Sequence, residues 1–181
     1  MNLILFGFKK SGKTYLGLKV AAEMRMRFLD TDQMVEELYT ARYHRVLSSK
    51  QIVTHHGMHL FRELEKQVIF SLKEIDNTVI ALGGGSILDK DNLDHLIKIG
   101  TLVYIKTDKE TLKKRMLSGE IPSYIDPVDP IGSFEELYKH RIPFYEKVPA
   151  FSVDTSARSE SQVMQILCDL VESVRASYGQ Q

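Results

Sequence analysis

Short apolar runs alternate along the whole chain with longer segments in which apolar residues recur at helical spacing. A continuous apolar run is typical of a strand buried on both faces, and a 3.6-residue period is typical of a helix that covers such strands. The alternation predicts an α/β fold in which helices cover a parallel sheet. The predicted strands are Leu3 to Phe6, Phe28 to Leu29, Thr78 to Leu82, Leu102 to Ile105 and Phe151 to Val153.

Apolar faces and capping signals predict the helices between these strands. The first helix is predicted from Lys13 to Met26, with apolar residues at Leu16, Val20, Ala21 and Met24. The last helix has a core-facing stripe formed by Val163, Ile166, Leu167, Leu170 and Val174. Helix starts are predicted where the capping-box spacing occurs, at Thr107 with Glu110, Ser133 with Glu136, and Ser159 with Gln162.

Length, charge and cysteine content narrow the class of protein. The 181 residues suit one domain spanning residues 1–181, and the equal numbers of basic and acidic side chains, 24 each, give no field that attracts nucleic acid or an anionic membrane. The single cysteine, Cys168, lies in the apolar stripe, which favours a core position and a reducing cytoplasm. No run reaches the about 18 to 20 apolar residues of a membrane span, and the N-terminal strand leaves no room for a signal peptide.

A glycine-rich turn with the pattern G-x-x-x-x-G-K-T follows the first predicted strand and opens the first predicted helix. In this context the glycines let backbone N–H groups and the helix N-terminus face the phosphates of a nucleotide. Lys13 then reaches the β- and γ-phosphates, and Thr14 offers its hydroxyl to Mg²⁺. The sequence therefore predicts a site for ATP and Mg²⁺. The candidate nucleotide-binding residues of this turn are Gly7, Lys10, Ser11, Gly12, Lys13, Thr14 and Tyr15.

Two carboxylates, Asp30 and Asp32, follow the second predicted strand. Ligands of a doubly wound sheet bind at the carboxyl ends of its strands. Phosphoryl transfer needs a metal and a carboxylate that takes the proton of the acceptor hydroxyl. One of the two carboxylates can face the water shell of Mg²⁺ while the other faces the acceptor. The alternative for Asp32 is stabilisation of the N-terminus of a helix that begins near Gln33.

Three further groups indicate the acceptor. Arg62 and Glu65 lie three residues apart on one predicted helical face, where the carboxylate can fix the guanidinium. The bare backbone of the turn at residues 83–85, after the third strand, admits a close ligand, and Arg141 precedes Tyr145 by one helical turn. Together these groups suit a small polar acceptor that carries a carboxylate. Taken alone, each of these groups is equally well explained as a surface ion pair or as a glycine between a helix and a loop.

The segment from Gly119 to Gly132 holds three prolines and two glycines between two predicted helices. A loop of this length in a compact domain is usually functional or mobile. In a protein that transfers phosphoryl groups, the functional interpretation is a lid over about residues 116–132 that excludes water. The alternative is a plain surface excursion.

The ordered set of motifs resembles the shikimate kinases, and the resemblance runs through most of the chain. It implies the three-layer P-loop kinase fold of the nucleoside monophosphate kinases, with a five-stranded parallel sheet in the order 2-3-1-4-5 flanked by helices, and a lid. The activity that it implies is transfer of the γ-phosphoryl group of ATP to the 3-hydroxyl of shikimate. The product would be shikimate 3-phosphate, in the pathway to chorismate and aromatic amino acids.

The resemblance also implies roles for single residues. Lys13 would stabilise the transferring phosphoryl group, Thr14 would bind Mg²⁺, and Asp30 would support the metal through water. Asp32 would orient the acceptor hydroxyl and act as its base. Arg62 and Arg141 would clamp the shikimate carboxylate. The remaining implied residues are Phe61, Glu65, Gly83, Gly84 and Gly85 in the shikimate pocket, within a substrate region of about residues 32–62, and Arg115, Asp154 and Thr155 around the adenine.

One departure from the family concerns the lid. Family lids usually carry an Arg-Pro pair, whereas this chain has Ile121-Pro122 and no Arg or Lys between Gly119 and Gly132. A cation there stabilises charge on the transferring group, so its absence bears on turnover more than on binding. Lys9 and Lys10 stand where the family tends to have small or neutral residues, and we hypothesise that they compensate.

Two other functions remain open at this point. One is another small-molecule kinase of the same fold, such as a gluconate kinase, which the triple glycine and the paired arginines disfavour. The other is a weakly catalytic nucleotide-binding or regulatory protein. A nucleic-acid-binding ATPase is disfavoured because the chain has no basic cluster. The favoured prediction is a monomeric kinase that acts on a small molecule and contacts neither nucleic acid nor membrane.

Overall fold

A sheet of five parallel strands, in the order β2-β3-β1-β4-β5, forms the centre of the protein. The computed structural model describes residues 1–118, 121–122 and 124–178, so Gly119, Glu120 and Ser123 of the predicted lid lie outside the described residues. The predicted α/β class and strand order are confirmed. The strands are β1 (Asn2–Phe6), β2 (Arg27–Asp30), β3 (Thr78–Ala81), β4 (Thr101–Lys106) and β5 (Phe151–Asp154).

Helices connect successive strands and cover both faces of the sheet. Each crossover between parallel strands needs such a connection, because parallel neighbours cannot be joined by a tight hairpin. Among the helices of the described ranges, none is both long and apolar enough to cross a membrane. The helices are α1 (Lys13–Glu23), α2 (Thr31–Tyr43), α3 (Ser49–Ser71), α4 (Lys90–Ile99), α5 (Lys109–Leu117), α6 (Pro130–Tyr145) and α7 (Glu160–Tyr178).

The central strand β1 is buried on both faces, which explains its continuous apolar run. Alternate side chains enter different cores, because successive residues of a strand point to opposite faces. Ile4 and Phe6 pack with residues of α3 to α6, whereas Leu3 and Leu5 pack with residues of α1 and α7. The two helical layers are thereby held on either side of one sheet.

Helices α2 and α3 enclose a third, smaller core beside the sheet, which includes Val35, Tyr39 and Phe61. Helix α3 is kinked at Gly57, where φ is +83°. This helical pair projects from the carboxyl end of β2 and forms one wall of the candidate site.

Three predicted helix boundaries are wrong. Helix α1 ends at Glu23 and not at Met26, because Arg25 adopts a left-handed φ of 52°. Asp108 and not Thr107 caps α5, with a hydrogen bond of 2.8 Å from the Thr111 N–H. Asp129 and not Ser133 caps α6 in the same way, which places Pro130 in the helix and limits the predicted lid to residues 118–129.

The capping box at the start of α7 is confirmed: the Ser159 N–H donates to Gln162, and the Gln162 N–H donates to the Ser159 hydroxyl. The apolar stripe of this helix is shifted. Ile166 is exposed, whereas Val171, which lies outside the predicted stripe, is buried in the same core as Val163 and Leu167. Cys168 is half-buried at the side of the stripe and is not a core residue.

Candidate active site

The phosphate loop connects β1 to α1 and wraps around the amine of Lys13. The amine is buried and donates hydrogen bonds to the carbonyl oxygens of Gly7 (3.1 Å) and Phe8 (2.9 Å). Gly7 and Gly12 adopt φ values of 144° and 97°, which only glycine adopts readily, and a Cβ at Gly7 would lie 2.6 Å from the carbonyl oxygen of Ile105. The loop conformation therefore depends on both glycines.

Burial lowers the pKa of Lys13 to about 8. Asp32 opposes this shift, whereas the neighbouring Lys9 and Arg141 add to it. Asp30 also opposes the shift, so burial is its main cause. An anionic ligand beside the buried amine would favour the charged form of Lys13.

Asp30 and Asp32 occupy different positions at the end of β2. Asp30 caps helix α2 by accepting the N–H of Asp32 at 2.9 Å, and it also accepts the hydroxyl of Thr14 at 2.7 Å. The alternative role of helix cap, which the sequence offered for Asp32, therefore falls to Asp30. The carboxylate of Asp32 turns the other way and lies 3.0 Å from the amine of Lys9.

A cavity of about 200 Å³ opens between this carboxylate and helix α3. It brings together residues predicted from four separate segments of the chain, which is the arrangement that the acceptor hypothesis requires. We name it the acceptor cavity. The predicted residues that line it are Asp32, Phe61, Arg62, Glu65, Gly84, Gly85 and Arg141.

The guanidinium of Arg62 is fixed by Glu65, at 2.5 Å, as the i, i+3 spacing predicted. Glu65 is 2% exposed and accepts a second hydrogen bond, of 2.6 Å, from the hydroxyl of Ser86. Gly85 leaves room for this arginine, because a Cβ there would lie 2.6 Å from Cζ of Arg62. The glycine turn after β3 therefore leaves room for the Arg62–Glu65 pair as well as for a ligand in the cavity.

Gly83 does not line the acceptor cavity. Its N–H donates to the Thr31 hydroxyl at 2.9 Å, and a Cβ at this position would clash with the Asp32 carboxylate. The close packing of Gly83 against Asp32 thus helps to fix the position of the Asp32 carboxylate. Its role in the structure is close packing and not contact with the cavity.

On the opposite wall, α6 presents Arg141 and Tyr145 to the glycine turn. Both side chains donate to the carbonyl of Gly84, Arg141 at 3.5 Å and Tyr145 in a shorter hydrogen bond. The guanidinium of Arg141 also lies over the ring of Tyr124, 5.2 Å from its centroid. Tyr124 belongs to the segment between α5 and α6, and it lines the cavity together with Ile121 and Pro122 of the same segment.

Two further cavities continue from the acceptor cavity along the edge of the sheet. The next one, the phosphate cavity, shares Lys9, Lys10, Asp32 and Gly84 with the acceptor cavity and adds Gly12, Lys13, Thr14, Tyr15 and Asp30. The last one, the base cavity, is lined by Ser11, Gly12, Tyr15, Arg115, Thr155 and Arg158, among others.

Arg115 reaches the phosphate loop and donates to the carbonyl of Lys10 at 3.1 Å. Thr155 lies at the end of β5 and lines the base cavity as expected. Asp154 does not line it, because its carboxylate accepts the N–H of Ser156 and so stabilises the turn after the strand. The predicted contact of Asp154 with the adenine therefore stays a prediction.

Several cavity residues were not predicted individually. Ser49, Lys50, Val53 and Met58, within the predicted substrate region, and Tyr124, within the predicted lid, line the acceptor cavity, and Arg158, Glu160 and Val163 line the base cavity. Most have no local signal, because their relevance comes from the packing of α3, α7 and the segment before α6. Tyr124 is different, because an aromatic residue between prolines in a loop is itself a local signal.

The sheet order, the glycine-rich loop around a buried lysine and the charged acceptor cavity define a P-loop kinase of small molecules. Comparison with known proteins narrows the class. The family model described as shikimate kinase matches residues 9–172. The chain belongs to the shikimate kinase family.

Individual relatives agree with the family model. The chain is 32% identical over 162 residues to the shikimate kinase of Caldanaerobacter subterraneus subsp. tengcongensis. These aligned residues cover 90% of this chain and 91% of that protein. It is 36% identical over 156 residues to a shikimate kinase of Clostridium botulinum, covering 86% and 88%. Shikimate kinase from Acinetobacter baumannii, solved in complex with shikimate, superposes with a TM-score of 0.83 at 26% identity, covering 95% of this chain and 93% of that one.

Proposed function

We propose that this chain transfers the γ-phosphoryl group of ATP to the 3-hydroxyl of shikimate and releases ADP and shikimate 3-phosphate. The observation that carries the proposal is the continuity of the three cavities, which places Asp32 between the phosphate loop and a pocket with two guanidinium groups. A gluconate would offer its carboxylate to the same arginines, so the assay below compares the two acceptors.

ATP occupies the phosphate and base cavities. Its phosphates accept hydrogen bonds from the loop N–H groups between Gly7 and Thr14, and Lys13 exchanges its contacts with loop carbonyls for the β- and γ-phosphates. The adenine lies between Arg115 and the start of α7, where Thr155 and Tyr15 line the base cavity. The negative charge of the nucleotide thereby favours the charged form of the buried Lys13 amine.

Shikimate binds in the acceptor cavity with its carboxylate between Arg62 and Arg141. Glu65 and Ser86 keep Arg62 in position, and Tyr124 does the same for Arg141. The hydroxyl that reacts points to Asp32, which accepts its proton as the new bond to phosphorus forms. Positioning accounts for much of such catalysis, because two bound reactants at close range react as one molecule.

Thr14 and Asp30 fit a magnesium ion in the phosphate cavity. Their oxygen atoms lie 2.7 Å apart and face the same cavity, and Mg²⁺ prefers oxygen ligands together with several water molecules. When bound, the ion neutralises charge on the nucleotide phosphates.

The test is ADP formation with ATP and Mg²⁺ in the presence of shikimate, of gluconate, or of no acceptor. We expect ADP only with shikimate, and a kcat at least about 100-fold lower for Asp32→Asn, since general acid–base groups contribute about 10²- to 10⁴-fold. Asp169→Asn, on the outer side of α7, is the matched control and keeps its rate. ADP formation that does not depend on shikimate, or depends on gluconate instead, contradicts the proposal.

A further inference from the structure

Lys9 lies at the boundary between the two cavities in which phosphoryl transfer takes place under the proposed function. Its side chain lines both the phosphate cavity and the acceptor cavity, and its amine lies 3.0 Å from the carboxylate of Asp32. A group that passes from ATP to an acceptor beside Asp32 must cross this boundary. The amine is therefore next to the path of the phosphoryl group.

The transferring group needs positive charge around it, because negative charge spreads over its outer oxygen atoms in the transition state. The segment that covers the acceptor cavity has none to offer: Ile121, Pro122 and Tyr124 line the cavity, and residues 119–132 of the sequence contain no Arg or Lys. A cation that acts on the transferring group in addition to Lys13 has to come from another element.

The two arginines of the cavity are already engaged at its far walls. Arg62 pairs with Glu65. Arg141 donates to the Gly84 carbonyl, and its guanidinium lies over the Tyr124 ring. Lys10 also lines both cavities, but its side chain is exposed, whereas that of Lys9 is partly buried and held by Asp32. Geometry thus separates two neighbouring lysines that the sequence presents as equivalent.

We propose that Lys9 is a catalytic residue that holds its ammonium group against the phosphoryl group during transfer, in place of a cation from the lid. The bond between the γ-phosphorus and the bridging oxygen of ADP breaks, and a bond from the acceptor oxygen to that phosphorus forms. The acceptor proton goes to Asp32. Lys9 keeps its own protons throughout and exchanges part of its contact with Asp32 for a contact with the phosphoryl oxygens.

The charge state of Lys9 agrees with this role. Burial is the largest single influence and lowers the pKa of Lys9, but Asp32, Tyr124 and Asp30 together outweigh it, and the pKa is raised overall. The residue therefore carries a full charge at neutral pH. Lys13, only four residues away, has its pKa lowered to about 8, so the two loop lysines differ in electrostatics as well as in position.

The test compares Lys9→Met, Lys9→Arg and Lys66→Met, the last being an ion-paired lysine on the outer face of α3. We expect Lys9→Met to lower kcat about 100-fold, as for removal of one donor that stabilises developing charge. The KM values for ATP and shikimate change less than threefold. Lys9→Arg keeps at least a tenth of the wild-type kcat, and Lys66→Met keeps all of it.

A second variant supplies a rescue. Ile121→Arg introduces a cation from the covering segment, and in the Lys9→Met background we expect it to restore kcat at least fivefold. A kcat of Lys9→Met within threefold of wild type overturns the proposal, as does a loss that falls on KM alone. An equal loss of kcat in Lys10→Met also overturns it, because the effect is then one of general loop charge.

The inference rests on the proposed function, and a binding measurement separates the two. ADP with Mg²⁺ and aluminium fluoride mimics the phosphoryl group in transit and needs no particular acceptor. We expect Lys9→Met to bind this mixture at least tenfold more weakly than wild type, with unchanged affinity for ADP alone. If wild type does not phosphorylate shikimate, the proposed function fails, and equal affinity of the two proteins for the mimic overturns the role of Lys9.

Discussion

The carboxylate of Glu65 lies 2.5 Å from the guanidinium of Arg62 and is almost completely buried behind it. Burial raises the pKa of Glu65, while Arg62 and the hydroxyl of Ser86 oppose the rise. A buried carboxylate is costly unless it is paired and hydrogen-bonded, so this pair is strongly constrained in geometry. The constraint fixes the direction in which Arg62 faces the acceptor cavity.

Glu65→Gln is expected to weaken the binding of shikimate. The amide keeps the shape of the side chain but loses the charge that orients Arg62, so the KM for shikimate rises about tenfold, or roughly 1.4 kcal/mol. The KM for ATP changes little. Glu63→Gln, on the exposed side of the same helix, is the control. Equal KM values for shikimate in the wild type and Glu65→Gln contradict the positioning role.

Gly85→Ala tests the room that the glycine turn leaves for Arg62. The φ of Gly85 is −109°, which alanine adopts freely, so the effect comes from the added methyl group. That group displaces the guanidinium from Glu65, and we expect the KM for shikimate to rise at least about fivefold. Urea denaturation serves as the control, with a free energy of unfolding within about 1 kcal/mol of wild type. If only the KM for ATP rises, the methyl group acts on nucleotide binding and not on the acceptor cavity, and the prediction is contradicted.

Nucleotide binding is expected to take up a proton above pH 8. Because the pKa of Lys13 is lowered to about 8 in the free protein, much of the amine is neutral at pH 9. The phosphates of ADP favour the ammonium form and raise this pKa on binding. The affinity for ADP therefore falls as the pH rises from 7 to 9.5.

Calorimetry of ADP binding in buffers with different ionisation enthalpies measures this proton uptake directly. At pH 8.5 the wild type takes up protons, and at pH 6.5 Lys13 contributes none because it is already charged. Lys13→Arg is the control, since its guanidinium stays charged over the whole range. Equal proton uptake by Lys13→Arg and the wild type at pH 8.5 assigns the proton to another group.

Asn2 is expected to matter for stability and not for catalysis. Its buried side-chain amide donates to the carbonyl oxygens of Ile75 and Ile99, both at 2.8 Å, and its oxygen accepts the N–H of Thr78. Asn2→Ala leaves these backbone groups unpaired, and we expect the free energy of unfolding to fall by about 2–4 kcal/mol. Gln165→Ala, on the exposed face of α7, should change it by less than about 0.5 kcal/mol in the same urea titration.

Local signals were sufficient for the α/β class and for the phosphate loop, whereas the strand order was implied by the family resemblance. The strands, the loop between β1 and α1 and the Arg62–Glu65 pair depend on residues close in sequence, so their patterns could be interpreted directly. Where several residues compete for one local role, the sequence was ambiguous. Asp108 and Asp129 cap helices assigned to Thr107 and Ser133, because carboxylates and hydroxyls are both good caps and stand only a few residues apart.

Relationships over long distances in sequence could not be predicted. Lys9 meets Asp32 across 23 residues, and Tyr124 meets Arg141 through the course of a proline-rich segment. Neither pairing has a periodic signature, since each depends on how two elements approach the carboxyl edge of the sheet. The contact between Lys9 and Asp32 distinguishes Lys9 from Lys10 and Asp32 from Asp30.

The central claim is that the acceptor cavity directs the phosphoryl group to shikimate. Phosphorus NMR of a reaction containing the wild-type chain, ATP, Mg²⁺ and shikimate tests it most directly, because it identifies both products at once. We expect ADP and one new phosphomonoester signal to grow in equal amounts, and neither to form with Asp32→Asn on the same timescale. ADP with inorganic phosphate and no phosphomonoester would contradict the claim, because water and not shikimate would then be the acceptor.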